Sequence, residues 1–258
     1  MNSSLNTDTA PLYLSYPALA EPAGFIVICP GGGYEFLSPR ESTPVAEAFW
    51  AAGWQPFVLQ YTTGQQLGNK PLLELAAAVR QIRKQAQLAG QSDKPIFVCG
   101  FSAGGHVAAS LGVHWNDLKL FSAEAELDLH KPTGLILCYP VISAGKYAHQ
   151  ASIAALAGQE DTSYFSLENY INTATPPTFL WHTMTDETVP VQNTMLFASG
   201  LIKFNIPTEV HIYPAGPHGL SLATEAVAEP EKGRFADPHV AGWFRECLEW
   251  LANFKIKE

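Results

Sequence analysis

The chain has 258 residues, 47% of them hydrophobic and 15% charged, and a net charge of −9. That composition predicts a globular protein with a sizeable core. The acidic balance, without any run of Lys or Arg, argues against nucleic acid or an anionic membrane surface as partner, because phosphate binding needs clustered cations.

No apolar run is long enough to cross a bilayer, and the opening MNSSLNTDTAPLYL lacks the basic start and apolar stretch of a signal peptide. Cys29, Cys99, Cys138 and Cys247 form no C-x-x-C pair. They read as small hydrophobes of a reduced core, and the cytoplasm is the expected location.

In chain order, a first strand is expected within Leu12 to Tyr16. Strands follow at Phe25 to Cys29 (FIVIC), within Gln55 to Tyr61, at Pro95 to Gly100 (PIFVCG), Leu135 to Tyr139 (LILCY), Thr178 to His182 (TFLWH) and Glu209 to Tyr213 (EVHIY). Each is nearly continuous in apolar character, as expected of strands covered on both faces. Helical patterns lie between them. Asn69 can cap a helix with Pro71 in its first turn. Leu72, Leu75, Val79, Ile82 and Ala86 then share one face, and Gly90 ends it. A closing helix carries Val240, Trp243, Phe244, Cys247, Leu248, Leu251 and Phe254 at the same spacing.

The expected fold class is α/β, a mostly parallel central sheet with helices on both faces. One domain spans 1–258. The stretch from Ser143 to Thr175 breaks the alternation, with helix-like pieces near Ile153 to Ala157 and Phe165 to Ile171. It reads as a small cap insertion over one end of the sheet, too short for a separate domain.

The sequence PIFVCGFSAGGHVAASLG holds Gly100-Phe101-Ser102-Ala103-Gly104, a G-x-S-x-G between an apolar strand and a small-residue helix. A strand-to-helix turn this tight needs glycine on either side, so that a serine can project above the sheet as a nucleophile. The competing glycine-rich readings fail. In a dinucleotide G-x-G-x-x-G, the third glycine position counted from Gly31 is Phe36, and the second counted from Gly100 is Ser102. No glycine precedes Lys-Ser or Lys-Thr in the phosphate-loop frame. Gly31-Gly32-Gly33 directly follow the FIVIC strand. Backbone N–H groups there, with that of Ala103, can hold the oxyanion formed during acyl transfer.

In this topology the base comes last and the acid follows the preceding strand. His218, in the turn PAGPHGL after the final strand, is the candidate base. The later His239 falls at the start of the closing helix. Asp186, in TFLWHTMTDETVP, is the candidate acid, with Glu187 as runner-up. His106, His182 and His211 read as packing or supporting groups, and Asp161 and Asp237 as surface or substrate-loop charges. No His, Cys, Asp and Glu set has metal-ligand spacing, so neither a metal nor an organic cofactor is expected.

Together PGGGY (Pro30 to Tyr34), GFSAGG (Gly100 to Gly105), the loop from Asp186 to Pro190 and Pro217-His218-Gly219 resemble the α/β-hydrolase superfamily. The closing ADPHVAGWF adds to the likeness. More narrowly they are similar to acetylxylan-esterase-like carbohydrate esterases, close to the hormone-sensitive-lipase branch. The resemblance runs from about Phe25 to the C-terminus. It implies a serine carboxylesterase that removes acetyl or other short acyl groups from sugars or small alcohols, with Ser102, Asp186 and His218 as triad and Gly32, Gly33 and Ala103 as oxyanion donors.

Lipase relatives begin the glycine motif with His, where this chain has Pro30. This departure leaves open whether Gly32 or Gly33 is the main donor. The expected partner is a small-molecule ester, and relatives' self-association makes a homo-oligomer conceivable. A small acyl pocket is expected near Phe36, Tyr34 and the insertion. Tyr34, Arg40 and Trp181 are candidates to hold the alcohol, packing being the commoner role for such residues.

Two other classes compete. A prolyl-oligopeptidase-type peptidase shares the fold, but carries an extra domain and usually Tyr after the serine, where this chain has Ala103. A non-catalytic binding protein on this fold would commonly lose a triad residue, and all three candidates are present.

Overall fold

The computed structural model describes residues 13–121, 127–158 and 161–254. The apolar runs become β1 (Tyr13–Ser15), β2 (Phe25–Cys29), β3 (Gln55–Leu59), β4 (Ile96–Phe101), β5 (Gly134–Cys138), β6 (Thr178–Thr183) and β7 (Thr208–Tyr213). They form one sheet in the order β1-β3-β2-β4-β5-β6-β7. β1 runs antiparallel to β3, with Tyr13 opposite Leu59, and every other pair is parallel. Leu12, the first residue of the stretch expected to hold the first strand, lies outside the described residues.

Between the strands lie α1 (Thr43–Ala51), α2 (Lys70–Leu88), α3 (Ala103–His114), α4 (Leu127–His130), α5 (Gln150–Ala157), α6 (Gln192–Lys203) and α7 (Pro238–Ala252). The FIVIC run shows why the strands lack polar alternation. Phe25, Val27 and Cys29 pack with Leu75 and Val79 of α2, Val107 of α3 and Phe197 of α6. Ile26 and Ile28 enter a second core on the opposite face, with Val45 and Phe49 of α1 and Val240 and Trp243 of α7. Both sheet faces are dry, so both side-chain sets must be apolar.

The helix on Leu72, Leu75, Val79, Ile82 and Ala86 forms with those side chains buried. It closes as expected at Gly90, where φ is 74° and the N–H of Gln91 returns to the carbonyl of Ala86 at 2.8 Å. Asn69 stands at the cap position, but its side chain makes no capping bond. Asp237 corrects the sequence reading in the other direction. Its Oδ1 accepts from the N–H of His239 (2.9 Å) and Val240 (3.1 Å), so it is the N-cap of α7 rather than a substrate-loop charge.

The four cysteines are buried free thiols, and burial raises the pKa of Cys29, Cys138 and Cys247. This agrees with their reading as small core residues. Among the described residues no helix is long and apolar enough to cross a membrane.

The chain leaves β2 toward β3 on one side, and β4 lies on the other. That reversal opens a crevice beyond the carboxyl ends of β2 and β4, the position where such sheets bind ligands. The Gly31-Gly32-Gly33 turn and Ser102 both begin there. The insertion between β5 and β6 contributes α5 and the one-turn helices Ser163–Phe165 and Leu167–Asn169. It is pinned by Asn193 of α6, fully buried, whose Oδ1 accepts from the N–H of Ile142 and Ser143, both at 2.9 Å. The Asn193 amide donates to the carbonyl of Tyr147 at 2.9 Å.

Candidate active site

Ser102 sits between β4 and α3 with φ 52° and ψ −118°, a conformation that L-residues rarely adopt. Its backbone is held from both sides. Its N–H donates to the carbonyl of Cys138 at 3.0 Å, and its carbonyl accepts from Val141 at 3.0 Å. Such strain costs about 1–3 kcal/mol and persists only where the surroundings enforce it. The flanking glycine is obligatory for a visible reason. A Cβ on Gly104 would collide with the backbone carbonyl oxygens of Cys29 and Pro30, so α3 could not pack this close to β2.

The loops after β6 and β7 deliver the other two groups. Ser102 Oγ lies 2.8 Å from His218 Nε2, and His218 Nδ1 lies 2.6 Å from Asp186 Oδ2. The second carboxylate oxygen of Asp186 accepts from the N–H of Thr188 and Val189, both at 2.9 Å. Burial disfavours the Asp186 carboxylate. Hydrogen bonds from His182, His218 and the Val189 N–H outweigh this and hold its pKa well below the usual range. The carboxylate is therefore charged and acceptor-only, which requires a proton on His218 Nδ1. His218 Nε2 is then free to accept from the serine hydroxyl. Glu187, the runner-up acid, is exposed.

His182, read from the sequence as a packing or supporting group, lies against Asp186. Its Nε2 donates to the carbonyl of Val189 at 2.9 Å and stands 3.2 Å from Asp186 Oδ2, and its Nδ1 pairs with Thr194 Oγ1 at 2.8 Å. His106 is a core residue. Its Nε2 donates to the carbonyl of Phe165 and its Nδ1 accepts from the Tyr34 hydroxyl, both at 3.0 Å. Burial pushes its pKa down to about 4. His211 pairs with Glu209 and Glu246 on the rim of β7, and Asp161 is exposed.

Gly32 and Gly33 both have positive φ, 126° and 66°. At Gly32 a Cβ would also strike the carbonyl of Phe36, so glycine is required there twice over. Gly31 is turned away, because its N–H donates to Glu41 Oε2 at 2.8 Å. Among the described residues the N–H groups of Gly32, Gly33 and Ala103 meet no protein acceptor, and Ala103 is the first residue of α3, where none is available within the helix.

Sequence reasoning missed the polar frame beneath these loops. Glu41 is buried, and its second oxygen accepts from the Tyr139 hydroxyl at 2.6 Å. That hydroxyl in turn accepts from the N–H of Ser221 at 2.8 Å. The oxyanion-side loop is thus tied to the histidine loop. Arg40 donates to the carbonyl of Gly219 (2.7 Å) and Arg234 to that of His218 (2.8 Å), and Glu229 bridges both arginines. A buried Glu ten residues after a glycine turn carries no sequence signal, because its second partner, Tyr139, comes from the distant loop after β5.

A cleft of about 450 Å³ opens over Ser102, lined by Gly32, Gly33, Phe36, His149, Ala151 and His218, among others. The expected pocket therefore forms at Phe36 and the insertion, but not at Tyr34, which lies beneath the floor with its hydroxyl on His106. Trp181 is fully buried against Tyr139 and Trp243. Arg40 lines the cleft but is committed to Val227, Gly219 and Glu229. A larger groove of about 960 Å³ lies at the opposite ends of the strands, around Thr133, Pro177 and Pro207, away from the serine.

A family model described as BD-FAE matches residues 12–201. The chain belongs to the BD-FAE family. Its fold is that of the α/β hydrolases: an acetyl ester-xyloside bifunctional hydrolase from Caldicellulosiruptor lactoaceticus superposes with a TM-score of 0.81 at 36% identity, covering 94% of this chain and 87% of the other.

The BD-FAE chain is also 40% identical over 208 residues to endo-1,4-beta-xylanase B of Butyrivibrio fibrisolvens, covering 78% of this chain and 33% of that protein. It is 27% identical over 209 residues to the acetylxylan esterase of Xylanibacter ruminicola, covering 77% and 41%. The match thus spans well under half the length of these curated relatives.

Proposed function

We propose that this BD-FAE family member is a serine carboxylesterase that hydrolyses short-chain, acetyl-type esters of sugars or small alcohols through an acyl-enzyme on Ser102. The observation that carries this reading is the unbroken line Ser102 Oγ–His218 Nε2 (2.8 Å) and His218 Nδ1–Asp186 Oδ2 (2.6 Å), beside the uncommitted N–H groups at Gly32, Gly33 and Ala103. The similarity to an acetylxylan esterase and to an acetyl ester-xyloside hydrolase supports the substrate class.

In the first half-reaction His218 takes the Ser102 proton as Oγ attacks the ester carbonyl carbon. The carbonyl oxygen becomes an oxyanion held by N–H donors, each contributing about 3–4 kcal/mol. Collapse expels the alcohol, which leaves with the proton from His218. In the second half-reaction His218 activates water, the acyl–serine bond is cleaved, and carboxylic acid departs. Asp186 keeps the imidazole in the correct tautomer and stabilises the imidazolium. No step needs a metal or an organic cofactor. We read residues 1–258 as one catalytic domain, and the buried free thiols favour a reducing, cytoplasmic setting.

The test is nitrophenol release from p-nitrophenyl acetate, butyrate and octanoate, with Ser102→Ala beside the wild type. The expected outcome is fastest turnover of acetate and a loss of about 10³-fold or more in the variant. Equal rates for the two proteins would remove the serine mechanism, and preference for octanoate would remove the short-acyl reading.

A further inference from the structure

Sequence reasoning passed over His149, the residue that precedes α5 in the insertion. Its side chain caps that helix. The N–H of Ser152 donates to His149 Nδ1 at 3.4 Å, and Ser152 Oγ lies 2.8 Å from the same nitrogen. A backbone N–H can only donate, so Nδ1 carries the lone pair and the ring proton sits on Nε2. Ser152 is fully buried, which fixes the pair in place.

His149 lines the cleft together with Ser102, Gly33 and His218. Its Cε1 is 3.9 Å from where a Cβ on Gly33 would stand. Among the described residues no protein acceptor takes Nε2–H, and this nitrogen is not among the buried unpaired atoms, so it is open to solvent on a residue that lines the cleft. Burial and the neighbouring His218 lower the His149 pKa, opposed by Asp186 and Glu35, so the ring is neutral at pH 7. A neutral ring with a fixed tautomer is a directional donor.

We propose that His149 is a specificity-determining residue whose Nε2–H donates to a hydroxyl or ring oxygen of the alcohol part of the substrate, favouring polyhydroxylated alcohols over aryl ones. The oxyanion already has three candidate backbone donors, and His149 lines the same cleft as His218, the group that returns the proton to the leaving alcohol oxygen. It also fills the role for which Tyr34 and Trp181 prove too deeply buried. The inference rests on the esterase reading above and adds the partner of its alcohol side.

The experiment compares kcat and KM for acetylated methyl xyloside and for p-nitrophenyl acetate in wild type, His149→Phe and His149→Gln. One donated hydrogen bond sets the scale. His149→Phe is expected to lower kcat/KM for the sugar ester about tenfold, mainly through KM, with little change on the aryl ester. His149→Gln, which offers an amide donor, is expected to recover most of the loss.

An equal fall on both substrates would assign His149 to the scaffold or the oxyanion, and no fall on the sugar ester would remove it from recognition. Either result overturns the proposal. Failure of the esterase reading shows separately, as a wild type inert on both esters. In that event the affinity of Ser102→Ala for the acetylated xyloside, with and without His149→Phe, still decides the contact: equal affinities overturn it.

Discussion

At the residue scale, Asp186 and His106 use burial to opposite ends. Asp186 is a buried carboxylate kept charged by donors on both oxygens. In Asp186→Asn the amide oxygen would take the Thr188 and Val189 N–H groups, leaving the NH₂ aimed at His218 Nδ1. That forces the proton onto Nε2, and the imidazole can no longer accept from Ser102. The expected outcome is a protein that folds with a kcat lower by about 10³–10⁴-fold on p-nitrophenyl acetate.

His106 is instead kept neutral, its pKa lowered from 6.5 to about 4. Between those values the unfolded chain binds a proton that the folded chain refuses. Stability from this group is therefore full above pH 6.5 and declines as the pH falls toward 4. From pH 6.5 to 5 the loss is about 1.6 kcal/mol. Urea unfolding at the two pH values should show this slope in wild type and a smaller one in His106→Gln.

At the element scale, the loops after β2, β5 and β7 act as one unit because Glu41 and Tyr139 join them. Gly31 N–H and the Tyr139 hydroxyl both donate to the Glu41 carboxylate. In Glu41→Gln one of these donors would face an amide NH₂ in a buried site. The expected cost is about 1–3 kcal/mol of stability. On the same ester kcat should fall while KM holds, because the loops carrying Gly32 and His218 lose their shared anchor. Denaturant midpoints and steady-state rates on one preparation check both.

None of this was legible beforehand, since Glu41 and Tyr139 stand ninety-eight positions apart. The helix caps divide in the same way. Gly90 was readable because a left-handed residue must follow the helix, whereas Asp237 looked like any loop charge until its turn placed Oδ1 over two free N–H groups.

At the scale of the whole molecule, α7 closes the second core over the sheet. Trp243 is fully buried, stacks on Trp181 with ring centroids 5.2 Å apart, and donates from Nε1 to the carbonyl of Ser221 at 3.0 Å. Its removal would leave a large cavity and free the base of the histidine loop. Trp243→Ala should cost about 3–5 kcal/mol, lowering Tm by about 10 °C in a scan.

The sequence by itself determined the sheet, the order of its loops and the choice of Ser102, Asp186, His218 and the glycines as candidates, which the fold brings together. The reason is that those features are local. A strand buried on both faces must be apolar throughout, and a turn where α3 meets β2 admits only glycine at Gly104. The tertiary structure alone decided the frame of Glu41, Tyr139, Arg234 and Asn193, the burial of Tyr34 and Trp181, and the exposure of His149 to the cleft. Each of these depends on which distant chain segment a polar atom meets, and residue spacing carries no record of that.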